Sequence, residues 1–281
     1  MKNSIINLWN KIPAIIRAFI VGMLIQVVGV MPIFFLVSKN LAVQPNVPWA
    51  LLIGLLYVWI FWGFLSGKGW PFSNSIRRKE LSRTKRMIPG GKKWAIITGI
   101  PFSITLIAFS FLGYLLAEVP LQQVQLLEAL NTIPITTAIS LIFIAALITG
   151  FVEETAWRGY AQKIIEEKHK AIVAIFIVAL IFTIIHFLPL IIWPIFVIGS
   201  LGWGYLAYLS KSIVPGIIFH FIVDFIAFLW GMNNLSALKS ILVHNVFVNG
   251  MNSLFYYLII IAISFGTLTV FSLLRLRKET A

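Results

Sequence analysis

The stretch that decides the fold is residues 134–157, PITTAISLIFIAALITGFVEETAW. A segment of this length is long enough for a helix to cross a hydrocarbon core of ~30 Å, which takes ~20 residues. The apolar run ends in two adjacent acids, Glu153 and Glu154. We therefore predict a membrane-spanning helix that carries carboxylates into the bilayer.

The composition of the whole chain is that of a membrane protein. Of its 281 residues, 60% are hydrophobic and 11% are charged, and the mean hydropathy is +0.97. Soluble domains carry about 25% charged residues, so a soluble enzyme is excluded. The chain has no cysteine, which excludes disulfides, thiolate metal sites and cysteine nucleophiles.

Apolar runs bounded by charges predict an all-α, polytopic membrane protein with about eight transmembrane helices. The predicted spans are roughly 14–37, 47–65, 94–117, 134–157, 171–188, 190–209, 213–231 and 252–274.

The basic residues indicate the orientation of these spans. With the N-terminus inside, all 22 Lys and Arg residues except Lys39 and Lys239 fall on the cytoplasmic side. The positive-inside rule therefore predicts that both termini are cytoplasmic. The net charge of +13 then reflects topology, and nucleic acid is not expected as a partner. We expect the basic loop 66–93 to be solvated near the anionic headgroups of the lipid bilayer.

Of the acids and histidines, only Glu153, Glu154, His186, His220 and Asp224 fall inside the predicted spans, and Arg158 lies directly after one of them. Ionisable side chains in hydrocarbon cost several kcal/mol, so they are functional candidates by default.

The spacing of these residues places them in three helix-face motifs. Side chains four positions apart share one face of a helix. The pairs are Glu154 with Arg158, Phe182 with His186, and His220 with Asp224. Glu153 lies about 100° round the helix from Glu154. We predict that Glu154 pairs with Arg158, and that Glu153 is free to act on a substrate.

Helix geometry predicts that the motifs converge. In a hairpin that turns near residues 168–170, Glu153 and His186 lie level at a rise of about 1.5 Å per residue. His220 reaches the same level if that turn protrudes by ~11 Å, two helical turns. Few residues are available for the two spans on either side of Pro189, so we expect one of them to be short, broken or tilted.

Three functions suit this set of residues. A carboxylate with two histidines and a second acid provides a general base, oxyanion stabilisation and a place for a metal, as amide hydrolysis requires. Chains of Glu and His also relay protons in transporters. The same residues could instead form satisfied pairs that hold helices in register. Among proteases, the chain lacks an HExxH zinc motif, a GxSG serine motif and an aspartyl dyad.

The three motifs in this order resemble the signature of the CPBP family of intramembrane proteases, also called the Abi family. That family contains the type II CAAX prenyl endopeptidases and their bacterial bacteriocin-processing relatives. Its signature is EExxxR, then FxxxH, then HxxxN or HxxxD, and the resemblance covers about residues 134–230. It implies three parts: an N-terminal transmembrane region at 1–133, a catalytic core at 134–230, and a C-terminal loop and last transmembrane helix at 231–281.

The resemblance also implies an intramembrane endopeptidase. Glu153 would activate water, and the catalytic set would be Glu153, Glu154, Arg158, His186, His220 and Asp224. The family's usual name implies a divalent metal such as zinc, held by His186, His220, Asp224 and Glu153, although a metal-free mechanism is the alternative. Asp224 stands where the eukaryotic prenyl proteases have Asn. An ionised Asp only accepts hydrogen bonds, which favours the metal-assisted version slightly.

The expected substrate is a membrane-associated peptide or protein tail, such as a bacteriocin, leader peptide or pheromone precursor. The expected location is a bacterial plasma membrane. The second hypothesis is a non-proteolytic membrane scaffold or bacteriocin-immunity partner, and a proton-coupled transporter ranks third.

Overall fold

A computed structural model describes residues 9–84, 87, 89–116, 121–236, 239 and 246–280, with backbone only at 121–124 and 248. The described residues are 86% helical and contain no strand. The all-α prediction is confirmed. Residues 1–8, which carry the predicted cytoplasmic N-terminus, lie outside the described residues, as do 237–238, 240–245 and 281 of the predicted C-terminal part.

The helices alternate along the chain with short connections. They are α1 (Ala14–Val43), α2 (Trp49–Leu65), α3 (Ser75–Leu81), α4 (Pro89–Leu116), α5 (Leu121–Asn131), α6 (Ile135–Glu166), α7 (Ala171–Ile184), α8 (Trp193–Ser210), α9 (Val214–Asn233), α10 (Val246–Asn249) and α11 (Ser253–Thr280).

Within the described ranges, six helices are long and apolar enough to cross a membrane: α1, α4, α6, α8 with the turn before it, α9 and α11. The apolar helices α2 and α7 are shorter, with 17 and 14 residues. The outer surface of the helices is apolar: Leu24 and Met31 of α1 and Leu52 and Trp59 of α2 are each more than half exposed. Such a surface suits contact with lipid, and the chain is an integral membrane protein of the polytopic kind that its composition predicts.

Helix α6 is the centre of the fold. It packs against α1, α2 and α9, and an eight-residue segment in its second half, Glu154–Ala161, is a π-helix. Trp157 and Arg158 in this segment are among the largest fully buried side chains of the described chain. A π-helix is rare, and it occurs often at functional sites because the wider turn redirects side chains. The predicted span 134–157 is therefore longer than expected and irregular where its acids lie.

The short helix α7 confirms that one of the two spans on either side of Pro189 is short. It ends at Ile184 rather than near residue 188, and a turn follows in which Phe187 has φ of +51°. Pro189 then disfavours a helical conformation for the residue before it. A single 3₁₀ turn, Leu190–Ile192, leads into α8. His186 therefore lies in the turn after α7, not on the helix.

The basic loop between α2 and α4 is folded onto the helix ends. Arg78 is buried and donates hydrogen bonds to three backbone carbonyl groups of the loop and of α2. Arg83 is buried and pairs with Glu166 at the end of α6; burial lowers the pKa of Arg83. Burial, followed by the nearby Arg83, also lowers the pKa of Lys211. The expectation of a solvated loop is wrong for Arg78 and Arg83, and lipid contact of the other basic residues stays a prediction.

Candidate active site

The buried ion pair of α6 lies at the base of the site. Arg158 Nη1 lies 3.2 Å from Glu154 Oε1, and both side chains are fully buried. Arg158 Nη2 also donates to Ser200 Oγ of α8 at 3.0 Å, and the guanidinium lies 4.3 Å from the ring centroid of Phe182. The predicted pairing of Glu154 with Arg158 is therefore present, and it ties α6 to α7 and α8.

His220 of α9 lies among three carboxylates. Its Nδ1 is 3.1 Å from Glu154 Oε1, and because a carboxylate accepts hydrogen bonds, Nδ1 is the donor. Its Nε2 lies 3.8 Å from Glu153 Oε2 and 3.7 Å from Asp224 Oδ2. The ring stacks on Trp203, with centroids 6.1 Å apart. The histidine is thus anchored through Nδ1, and it presents Nε2 between Glu153 and Asp224.

Two glycines allow α6 and α9 to approach closely at this point. A Cβ atom at Gly150 would lie 2.8 Å from the backbone nitrogen of Phe221. A Cβ atom at Gly216 would lie 2.6 Å from Oε2 of Glu154. Real Cβ contacts are not this short, so a larger residue at Gly150 requires the two backbones to separate, and one at Gly216 requires the Glu154 carboxylate or α9 to shift. The hydrogen bond between His220 and Glu154 depends on this contact.

Glu153 points in a different direction from Glu154, as the 100° offset predicts, although both carboxylates reach the ring of His220. Its Oε1 accepts a hydrogen bond from Gln26 Nε2 of α1 at 3.1 Å. Gln26 Oε1 in turn accepts from Trp157 Nε1 at 3.2 Å. Sequence analysis missed Gln26; the signal available was a single amide in the middle of an apolar span.

His186 approaches the site from the turn after α7. Its Nδ1 lies 2.6 Å from the carbonyl oxygen of Phe182, and because a carbonyl only accepts, Nδ1 carries the hydrogen. The ring packs against Phe182 and Phe196 at centroid distances of 4.5 and 5.1 Å. This bond preserves the i, i+4 relationship of the FxxxH motif although the helix has ended. Nε2 is the ring nitrogen left for other partners.

One cavity of about 230 Å³ is lined by most of the predicted site residues. Its chemistry-bearing lining residues are Glu153, Arg158, His186, His220, Asp224, Ser110 and Ser200. Glu154 does not line it, since its side chain is fully buried between Arg158 and His220. A second cavity of about 150 Å³ shares Ser110, Val223 and Asp224 with the first. The three motifs therefore converge on one space, with Asp224 at its junction with another.

These side chains do not form a metal cage as they are positioned. Across the part of the chain that the structure describes, no group of three or more His, Asp and Glu side chains is arranged to hold a metal ion. Nδ1 of both His186 and His220 donates to a protein acceptor, as in most metal-binding histidines, and leaves Nε2 of each ring as the nitrogen for a metal. The metal ligands predicted from the sequence, Glu153, His186, His220 and Asp224, stay a prediction.

The fold and the site define a polytopic membrane protein with a cluster of carboxylates and histidines between its helices. Residues 135–226 match the family model described as type II CAAX prenyl endopeptidase Rce1-like. The match covers about a third of the chain and includes all three motifs. It confirms the resemblance to the CAAX-type intramembrane proteases, a family of hydrolases. Neither a curated protein nor a solved structure matches the chain significantly.

Proposed function

We propose that this protein is an intramembrane endopeptidase in which Glu153 activates a water molecule for attack on a peptide bond. The observation that carries the proposal is the shared cavity: Glu153, His186, His220 and Asp224 all line it, although they come from α6, α9 and the turn after α7. Such a cluster of buried ionisable groups in a cavity is the arrangement expected of an active site.

Glu153 is the residue best placed to act as the general base. Its Oε1 is bound by Gln26, so Oε2 is the oxygen that faces His220. In the proposed reaction, Glu153 removes a proton from water while the oxygen of that water forms a bond to the scissile carbonyl carbon. The same proton is then delivered to the leaving amine as the peptide bond breaks.

The histidines are suited to stabilise the oxyanion. His220 and His186 both donate Nδ1–H to a protein acceptor, so Nε2 of each ring is left for the substrate. In its imidazolium form such a ring donates from Nε2 to a negative oxygen. Asp224 lies 3.7 Å from His220 Nε2 and, when ionised, only accepts hydrogen bonds. We assign Asp224 to the orientation of His220.

Glu154 and Arg158 act indirectly in this proposal. Glu154 binds Arg158 and His220 through the same oxygen and is fully buried, and Arg158 reaches across to Ser200. Removing either one leaves a buried charge without its partner. Their part is to fix the positions of His220 and of the π-helix that carries them.

The substrate class follows from the location of the cavity among membrane helices. We propose a membrane-associated peptide or a protein tail next to the membrane, such as a bacteriocin or pheromone precursor, in a bacterial plasma membrane. Both termini are proposed to be cytoplasmic, and the exposed basic residues of loop 66–93 are proposed to contact anionic headgroups.

The test is cleavage by the purified protein in liposomes. Candidate precursor peptides are incubated in water enriched in ¹⁸O, and the fragments are identified by mass spectrometry. Hydrolysis places the label in the new carboxyl terminus, and Glu153→Gln is the control that must not produce it. If the Glu153→Gln protein kept the full biological effect of the wild type in cells, the proposal would be contradicted and a non-proteolytic scaffold or immunity partner would be supported. A proton flux abolished by the same substitution, without cleavage, would favour a transporter.

A further inference from the structure

Gln26 is a polar residue in the apolar helix α1, outside the segment that matches the protease family. Its amide nitrogen donates to Oε1 of Glu153 at 3.1 Å, across 127 residues of sequence. Glu153 is 6% exposed, so few other donors reach this oxygen. The contact is thus a direct link from α1 to the proposed base.

The chemistry of Trp157 determines which way the amide of Gln26 points. The indole nitrogen is a donor only, and it lies 3.2 Å from Gln26 Oε1. The amide oxygen therefore faces Trp157, and the amide nitrogen faces Glu153. A carboxylate and an indole on opposite sides of one amide leave a single orientation that satisfies both.

Helix α1 is itself held in place at this level. Trp157 is fully buried, and its ring occupies the space beside Gly22, where a Cβ atom would lie 2.7 Å from the ring. Gly22 lies one turn before Gln26, on the same face of α1. The docking of the indole against Gly22 therefore sets the height at which Gln26 meets Glu153.

We propose that Gln26 is a positioning residue that holds the Glu153 carboxylate with Oε1 bound and Oε2 turned into the cavity. The inference rests on the proposed role of Glu153 as the base. Of the two carboxylate oxygens, Oε2 lies 3.8 Å from His220 Nε2. A fixed carboxylate meets its water in one geometry, whereas a freely rotating one spends part of its time in unproductive geometries.

The experiment compares the same substitution at two glutamines. Gln26→Met keeps the length of the side chain and removes both hydrogen bonds. Gln162→Met is the matched control, since Gln162 is fully buried and donates to Gly204 and Glu166, away from the cavity. We expect Gln26→Met to lower kcat by about ten- to a hundredfold with little change in KM. We expect Gln162→Met to lower thermal stability and to leave kcat of the folded protein unchanged.

A second measurement does not depend on activity. The unfolding temperatures of single and double variants, measured in detergent, report the contact between residues 26 and 153 directly. Glu153→Met removes the acceptor of the Gln26 amide, so the effects of Gln26→Met and Glu153→Met should not add, whereas those of Gln162→Met and Glu153→Met should add. Gln26→Asn, which withdraws the amide by one methylene group, replaces Gln26→Met if that variant does not fold.

The outcomes separate the inference from the proposed function. Equal kcat in Gln26→Met and Gln162→Met, together with additive effects of Gln26→Met and Glu153→Met on unfolding, would overturn the inference. If the wild-type protein cleaves nothing, the proposed function fails, but the unfolding temperatures still decide whether Gln26 holds Glu153.

Discussion

Nδ1 of His220 lies 3.1 Å from Oε1 of Glu154, the same oxygen that pairs with Arg158 at 3.2 Å. One carboxylate oxygen therefore joins α9 to the π-helix of α6. The i, i+4 spacing accounts for the contact with Arg158 alone. The contact with His220 makes Glu154 the link between the ion pair and the histidine that faces the cavity.

The first prediction separates the two adjacent acids. Glu153→Gln removes the base at constant size, so cleavage should fall by about 10²- to 10⁴-fold while the thermal unfolding temperature changes little. Glu154→Gln leaves Arg158 without its anion and should lower the unfolding temperature as well as activity. Peptide cleavage and unfolding in detergent are measured for both variants. Full activity in Glu153→Gln would show that another group activates the water.

The second prediction concerns the buried cation. Arg158→Met should lower the free energy of unfolding by about 3–5 kcal/mol, because the carboxylate of Glu154 then stays buried without its cation. The matched control is Arg77→Met. Arg77 pairs with Glu167 at 2.5 Å, but its side chain is 48% exposed, so the loss should be about 0–1 kcal/mol. Equal losses in the two variants would contradict the assigned burial of Arg158.

The third prediction uses the close contact of α9 with Glu154. Gly216→Ala places a methyl group 2.6 Å from Oε2 of Glu154, and the resulting overpacking should cost about 1–3 kcal/mol and move His220. Gly63→Ala, in α2, has nothing within 4 Å of the new Cβ and should be neutral or slightly stabilising. Thermal unfolding and cleavage rates are compared. A neutral Gly216→Ala would mean that the Glu154 carboxylate can move aside without loss of its contacts with Arg158 and His220.

The fourth prediction concerns the metal. The proposed mechanism activates water with Glu153 and uses no metal, so we expect less than one zinc ion per purified chain and activity that survives a chelator. Elemental analysis of the wild type is compared with His186→Ala and His220→Ala. One zinc per chain that is lost in both variants would instead show that Glu153, His186, His220 and Asp224 rearrange around a metal.

Local parts of the site could be predicted because they depend on one helix at a time. The pairing of Glu154 with Arg158 and the different direction of Glu153 follow from 3.6 residues per turn. The bond from His186 to Phe182 also follows from the i, i+4 spacing, even though α7 stops before His186. The truncation of α7 was predictable from Pro189 and the small number of residues available for two spans.

Contacts between helices were not predictable in this way. Gln26 meets Glu153 because Trp157 docks against Gly22, and no local pattern in either segment encodes that distance. Ser200 as a partner of Arg158 is likewise a consequence of how α8 crosses α6. The π-helix was missed because its wider turn depends on tertiary packing rather than on helix propensity.

By itself, the sequence determined that this protein is an all-α membrane protein with three ionisable motifs inside its spans, because apolar length and helical periodicity are properties of single segments. Only the tertiary structure decided that Glu153 faces a cavity while Glu154 is buried behind it. The physical reason is that the two acids differ by a rotation of about 100°, and what each one meets depends on which neighbouring helix lies in that direction. Here α1 brings an amide to Glu153, and α9 brings a histidine to both.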